Sequence, residues 1–182
     1  AAMIASIACA AAPDASSSRA RLSPRPPRSA GSASSTRPAS WIAACEHMLA
    51  LDVDTGKLKW HYQFTPHDAW DYDGVNELVF ADMTFGGKKT PVLMQANRNG
   101  FFYVLDRANG KLLSANKFIP ATNWATDIDL KTGMPNEAPG DVKRPGMKRK
   151  AVDVCPNLIG GKNWMPMSYD AGTGYVYLST MN

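Results

Sequence analysis

Three segments of the chain repeat one design: an apolar strand that ends near an aspartate, a turn that contains a glycine, and a second apolar strand. They are MLALDVDTGKLKWHYQF, FYVLDRANGKLLSANKF and MSYDAGTGYVYLSTMN, and their turn glycines are Gly56, Gly110 and Gly174. These glycines lie 54 and 64 residues apart, and such irregular spacing predicts repeated sheet units with insertions, as in a β-propeller with four-stranded blades. Three units cannot close a ring. The expected fold is therefore all-β, a fragment of about three propeller blades.

A second turn signal supports the all-β assignment. The segment PVLMQANRNGFFYVLD contains two apolar runs joined by Asn-Arg-Asn-Gly, a composition that tight hairpins favour. From residue 48 onward the pattern consists of short strands between turn residues, with little helical periodicity. We expect antiparallel strands in blade arrangement over 48–182.

Composition limits the classes of function. Of the 182 residues, 45% are hydrophobic and 20% are charged, which fits a globular protein. The net charge of +4 is too small, and the basic residues are too scattered, to argue for nucleic acid. No apolar stretch reaches the roughly 18 residues that a membrane helix needs. We expect no nucleic-acid partner and no transmembrane segment.

The cysteines define neither a metal site nor a disulfide framework. Cys9, Cys45 and Cys155 are odd in number and widely spaced, without a Cys-x-x-Cys pair. In an oxidising compartment, Cys155 would need a partner that this chain does not show.

The composition changes sharply near residue 47. Residues 1–46 contain five arginines and no lysine, whereas all eleven lysines lie from Lys57 onward. Three interpretations remain open: a disordered low-complexity tail, a secretory hydrophobic core in MIASIACAAA, or non-native sequence from GC-rich DNA in the wrong frame. We therefore divide the chain into segment 1–46, without stable sheet up to about residue 45, and a propeller segment, 47–182.

The segment TPHDAWDYDGVNE, residues 65–77, concentrates carboxylates. Asp68, Asp71 and Asp73 repel one another when jointly ionised, so either water solvates the cluster or a cation neutralises it. An EF-hand is excluded because its register would put Ala69 and Phe80 at ligand positions. In an extended segment, residues two apart point to the same side. Asp71 and Asp73 would then converge on a hard, oxygen-preferring cation.

Four ordered blocks resemble the quinoprotein alcohol dehydrogenases, eight-bladed propellers that use pyrroloquinoline quinone (PQQ). The blocks are TPHDAWDYDGVNE, NRNGFFYVLDR, DLKTGMPNEAP and CPNLIGGKNWMPMSYD, and the glycine-tryptophan repeat of the family is similar to ALDVDTGKLKW. The resemblance implies oxidation of primary alcohols, of the methanol or ethanol class, to aldehydes by hydride transfer to PQQ. A bound lanthanide(III) ion, or alternatively Ca²⁺, assists in that reaction.

The resemblance also implies roles for individual residues. Asp71 matches the catalytic base, which also faces the metal, and Asp73 matches a second metal ligand found in lanthanide-using members. Arg98 and Asn163 match cofactor-binding residues. Taken alone, Arg98 would be an exposed turn arginine and Asn163 an ordinary loop residue. Cys155 matches a cysteine that pairs with a later one in some members.

The family's Trp-Asn-Pro and Arg-Pro-Gly-Asp-Asn elements, which precede its ALD block, are not found in residues 1–46. A metal-ligand asparagine and the tryptophan that stacks on PQQ are thus outside this chain, which would be an incomplete fragment. The resemblance further implies a periplasmic location, a cytochrome c-type electron acceptor and a possible homodimer. The alternative is a non-catalytic periplasmic propeller scaffold, which has no reason to combine Asp71, Asp73, Arg98 and Asn163.

Overall fold

The computed structural model describes residues 2–7, 46–74, 76–139, 150 and 152–181, with the backbone course alone for residues 2–7. All regular structure in this part is β-strand. The strands are β1 (Ala2–Ile7), β2 (His47–Asp52), β3 (Leu58–Gln63), β4 (Val79–Phe85), β5 (Lys88–Ala96), β6 (Phe101–Asp106), β7 (Leu112–Lys117), β8 (Ala125–Ile128), β9 (Pro135–Glu137), β10 (Ser168–Asp170) and β11 (Tyr175–Tyr177). Within the described ranges, the structure contains no helix of the length and apolar character that a membrane span requires.

The first sheet has the order β1-β2-β3 and is antiparallel throughout. Its predicted turn between β2 and β3 is confirmed. The N–H of Gly56 donates to the carbonyl of Asp52 at 2.8 Å, and the N–H of Thr55 donates to Oδ1 of Asp52 at 3.0 Å. The glycine has a φ of 68°, a left-handed conformation that glycine adopts without penalty.

The expectation of no sheet before residue 46 is wrong for Ala2–Ile7. This strand pairs along its whole length with β2, from Ala2 opposite Asp52 to Ile7 opposite His47. The physical reason is that an apolar run with two isoleucines suits a strand, and here it covers an edge of β2 whose backbone groups would otherwise be unpaired. The interpretations of residues 8–45, which include Cys9 and Cys45, lie outside the described residues.

The second sheet is a complete four-stranded meander in the order β4-β5-β6-β7. The predicted Asn-Arg-Asn-Gly hairpin joins β5 to β6, where the N–H of Gly100 donates to the carbonyl of Asn97 at 3.1 Å. Both faces of its two central strands, β5 and β6, are largely buried, whereas alternate residues of β4 are exposed. Alternate residues line the two buried faces: Leu93, Tyr103 and Leu105 in one hydrophobic cluster, Val92, Met94 and Val104 in the other.

Two short hairpins complete the described chain, β8–β9 and β10–β11. The repeated turn occurs four times, once more than the sequence pattern predicts, because Gly133 makes the same bond to Asp129. In each copy the glycine N–H donates to the carbonyl of the aspartate four residues earlier, at 2.7–2.8 Å. Backbone N–H donors also bind the carboxylates of Asp129 and Asp170 and hold the pKa of each below its ordinary value.

Aromatic side chains join one unit to the next. The indole N–H of Trp60, in the first sheet, donates to the carbonyl of Arg107 at 3.1 Å. A Cβ at Gly110 would lie 2.6 Å from the Trp60 ring, so only glycine permits this contact. Tyr62 donates to the carbonyl of Gly133 at 2.8 Å. The sheets are therefore packed as consecutive blades, in agreement with the predicted all-β propeller fragment.

Candidate functional site

The acidic loop, which contains Asp68, Asp71, Asp73 and Glu77, connects β3 to β4. Asp68 shapes its path. Oδ1 of Asp68 accepts the N–H of Trp70 at 2.9 Å, and Oδ2 accepts the N–H of Asp73 at 3.1 Å. Burial raises the pKa of Asp68, although these backbone donors partly offset that effect. Asp68 is therefore a capping residue of the loop.

Two aromatic residues anchor the loop to the core. Trp70 and Tyr72 are buried, with ring centroids 5.8 Å apart, and both contact the ring of Trp124. The hydroxyl of Tyr72 donates to the carbonyl of Pro156 at 2.6 Å, across 84 residues of sequence. This anchoring leaves Asp71 exposed and Asp73 half-buried.

The segment 71–74 is not extended, so the expectation that Asp71 and Asp73 point to the same side of an extended chain is wrong. Asp71 has a φ of 64°, and residues 71–74 form no strand. The two-residue alternation of a strand therefore does not apply to Asp71 and Asp73. In the described ranges, no group of three or more His, Cys, Asp or Glu side chains is arranged to hold a metal ion.

Arg98, in the β5–β6 hairpin, reaches this loop. Its Nη1 donates to the carbonyl of Asp73 at 2.9 Å, and its Nη2 donates to the carbonyl of Leu158 at 2.5 Å. Glycines make room for its side chain on two sides, because a Cβ at Gly74 would lie 2.6 Å from Arg98 Cδ and one at Gly160 would lie 2.7 Å from Arg98 Cβ. Arg98 is thus a clamp between two loops, not an exposed turn arginine.

Asn163 belongs to the second of these loops, residues 158–164. Its Nδ2 donates to the carbonyl of Ile159 at 3.0 Å, and its Oδ1 accepts the N–H of Trp164 at 2.9 Å. The same loop binds the hairpin, because the N–H of Gly161 donates to the carbonyl of Arg98 at 2.9 Å. The structure therefore brings Arg98 directly to Asp73, and connects Asn163 to Arg98 through the backbone of one loop.

Sequence reasoning missed Glu77 and Lys162. Nζ of Lys162 lies 2.8 Å from Oε2 of Glu77, and the lysine side chain is 0% exposed. The one available signal was a lysine inside the Gly-Gly-Lys-Asn-Trp block, which does not identify a partner 85 residues away.

The tryptophans of the blocks differ in their surroundings. Trp124 is buried in the core, and its indole N–H donates to the carbonyl of Asn99 at 2.7 Å. Trp164 is 74% exposed and does not pack within a blade among the described residues.

Comparison with known proteins places this architecture in a family. Residues 43–128 match the family described as "Glucose/ethanol/alcohol dehydrogenase, beta-propeller domain", in the PQQ group. Quinohemoprotein alcohol dehydrogenase ADH IIB of Pseudomonas putida is 49% identical over 131 residues, which cover 72% of this chain and 18% of that protein. The lanthanide-dependent methanol dehydrogenase of Methylacidiphilum fumariolicum is 46% identical over 135 residues, 74% of this chain and 22% of that protein.

A solved structure gives the same result. A europium-containing methanol dehydrogenase superposes with a TM-score of 0.69 at 45% identity, over 74% of this chain and 23% of that one. The fold and these matches define the chain as a segment of a dehydrogenase β-propeller domain. Within that class, it belongs to the PQQ-dependent, or quinoprotein, alcohol dehydrogenase family. The chain spans about a fifth of the length of the curated relatives it matches.

Proposed function

We propose that this chain is the part of a PQQ-dependent alcohol dehydrogenase that supplies the catalytic base, two metal ligands and cofactor contacts. The longer protein that carries it, called here the parent enzyme, oxidises primary alcohols of the methanol or ethanol class to aldehydes. The observation that carries the proposal is the contact of Arg98 with Asp73 and with the loop of Asn163. Residues assigned separately from three sequence blocks thus meet in one place.

The cofactor's chemistry fits donors that remain available on these residues. Nε of Arg98 is a buried donor without a hydrogen-bond partner among the described residues. PQQ presents quinone and carboxylate oxygens, which a guanidinium binds well because it is planar and permanently charged. Asn163 uses one of its two Nδ2 hydrogens within its own loop, so the other is available to the same oxygens.

Asp71 and Asp73 have separate roles in the proposal. Asp71, exposed beside the cofactor residues, accepts the hydroxyl proton of the alcohol on its carboxylate. Asp71 and Asp73 both ligate the cation, and a lanthanide(III) ion is favoured over Ca²⁺ because the additional carboxylate of Asp73 offsets the higher charge. The remaining ligands come from parts of the parent enzyme outside this chain. When bound, PQQ supplies the two-electron oxidant and the cation supplies a Lewis acid.

The remaining elements of the proposal follow from the relatives' names and from the family. The parent enzyme is periplasmic and passes its electrons to a cytochrome c-type acceptor. Its proposed assembly is a homodimer. The name of the Methylacidiphilum relative, lanthanide-dependent methanol dehydrogenase, supports both the metal class and the substrate class.

Two substitutions in the parent enzyme test this division of roles. Asp73→Ala removes one carboxylate from a trivalent site, so lanthanum-supported activity should fall far more than calcium-supported activity. Asp71→Asn removes the base, and asparagine tolerates the left-handed φ of 64°. Its turnover should fall by about 100- to 10,000-fold, the usual loss without general-base help. Dye-linked alcohol oxidation by apo-enzyme loaded with PQQ and either metal measures both.

The controls separate chemistry from folding. PQQ should bind Asp71→Asn as well as it binds the unaltered enzyme, since Arg98 and Asn163 are intact. Unchanged lanthanum dependence in Asp73→Ala would refute the metal assignment, and near-normal turnover in Asp71→Asn would remove Asp71 from the chemistry. A parent protein that binds no PQQ would instead favour the non-catalytic scaffold.

A further inference from the structure

The ion pair between Glu77 and Lys162 joins the two loops on which the proposed function rests. Glu77 follows the Asp71–Asp73 segment by four residues, and Lys162 immediately precedes Asn163. Oε2 of Glu77 lies 2.8 Å from Nζ of Lys162, while Oε1 accepts the N–H of Met167 at 2.6 Å. Both carboxylate oxygens of Glu77 are therefore bound to residues 162–167, the stretch that ends just before β10.

Lys162 acts on the backbone of its neighbour as well. Its Nζ donates to the carbonyl of Asn163 at 3.1 Å, in addition to the bond with Glu77. The side chain of Lys162 is 0% exposed, whereas that of Glu77 is 27% exposed. A buried ammonium held by two acceptors restricts the peptide it contacts, because movement of that peptide would leave a buried charge unpaired.

These contacts close a triangle. Arg98 binds the carbonyls of Asp73 and Leu158, and Gly161 donates to the carbonyl of Arg98. The Glu77–Lys162 pair supplies the third side, between the acidic loop and the residue next to Asn163. Without the Glu77–Lys162 pair, Arg98 would be the main described connection between the acidic loop and residues 158–164.

We infer that Lys162 and Glu77 are positioning residues that set the orientation of Asn163 toward the cofactor and thereby determine the affinity for PQQ. The inference rests on the proposed function and assigns it two residues that touch neither substrate nor cofactor. Their effect is exerted through Asn163, so it should disappear when the Asn163 side chain is removed.

The test measures PQQ binding to the apo parent enzyme, with thermal unfolding as the second readout. Lys162→Met should weaken PQQ binding by about tenfold or more, as the loss of an outer partner of a ligand typically does. Lys162→Arg, which keeps the charge, should recover most of the affinity. Lys59→Met is the matched control, since Lys59 forms an ion pair with Asp52 at 3.1 Å but is 44% exposed, and it should bind PQQ normally.

Two further variants separate positioning from stability. Glu77→Gln combined with Lys162→Met leaves no unpaired buried charge, so it should fold like the unaltered protein yet still bind PQQ weakly. In an Asn163→Ala background, Lys162→Met should cause no further loss of affinity. Normal affinity in the folded double variant, or an undiminished loss in the Asn163→Ala background, overturns the inference. Failure of the unaltered enzyme to bind PQQ would overturn the proposed function instead.

Discussion

At the scale of single residues, the least expected feature is a buried carboxyl beside the acidic loop. Glu46 is 2% exposed, and neither of its carboxyl oxygens completes a hydrogen bond within the described part of the chain. Burial raises its pKa well above the ordinary 4.5; Thr65 and Asn97, which lie beside it, only partly offset the effect, and the charges of Asp68 and Asp73 add to it. The folded protein therefore holds this proton more tightly than the unfolded chain does.

The free energy of unfolding should fall as the pH rises. The pKa of Glu46 is higher in the folded protein than in the unfolded chain, so ionising Glu46 destabilises the fold as the pH rises from 4.5 toward the folded pKa. We expect Glu46→Gln to be more stable than the unaltered chain near neutral pH, with a difference that grows by about 1.4 kcal/mol per pH unit across that window. Urea unfolding of the full chain from about pH 4 to about pH 8 measures it. Glu137→Gln, at an exposed position, is the control; parallel pH profiles for the unaltered chain and Glu46→Gln would exclude a buried acid at this position.

At the scale of elements, the glycine of the repeated turn has a left-handed conformation in each of two copies, but it packs against a neighbouring blade in only one of them. Gly56 and Gly110 have similar positive φ values, 68° and 74°. They differ in surroundings: a Cβ at Gly56 would meet nothing within 4 Å, whereas one at Gly110 would lie 2.6 Å from the ring of Trp60. The two positions therefore separate backbone strain from a steric clash.

Alanine at each position measures the two effects. Gly56→Ala should cost about 1–2 kcal/mol of unfolding free energy, the price of a left-handed conformation for an L-residue. Gly110→Ala should cost about 1–3 kcal/mol more, because a rigid indole must also move. Urea unfolding of the full chain provides both values. Equal losses would show that Trp60 does not pack against this turn.

The turns are the features of this fold that the sequence predicts best. The Asp-to-Gly turns and the Asn97–Gly100 hairpin were predicted because short-range hydrogen bonds and glycine conformation determine them. The fourth turn, from Asp129 to Gly133, has the same aspartate-to-glycine spacing and lies in the block DLKTGMPNEAP.

The features that were missed depend on distant contacts. The path of the acidic loop is set by Asp68 and by the bond of Tyr72 to Pro156, so an alternation rule for strands could not describe Asp71 and Asp73. The Glu77–Lys162 pair and the pairing of β1 with β2 likewise join residues far apart in sequence. The identities of the candidate site residues could be proposed from the motifs, whereas their geometry could not.

At the scale of the whole molecule, the candidate site lies where connections from successive units meet. The acidic loop precedes β4, Arg98 lies between β5 and β6, and residues 158–164 precede β10. Trp60 and Tyr62 hold the units in contact through Arg107 and Gly133. We propose that this chain contributes one sector of the end of the propeller at which the chemistry of the parent enzyme takes place.

The most direct test of the proposal is the position of the metal in crystals of the parent enzyme loaded with PQQ and lanthanum. Anomalous diffraction locates the ion without reference to any model. We expect one strong peak at coordination distance, about 2.3–2.6 Å for large oxygen-ligated cations, from carboxylate oxygens of both Asp71 and Asp73, with PQQ in contact with Arg98. A peak remote from both aspartates, with PQQ bound elsewhere, would contradict it.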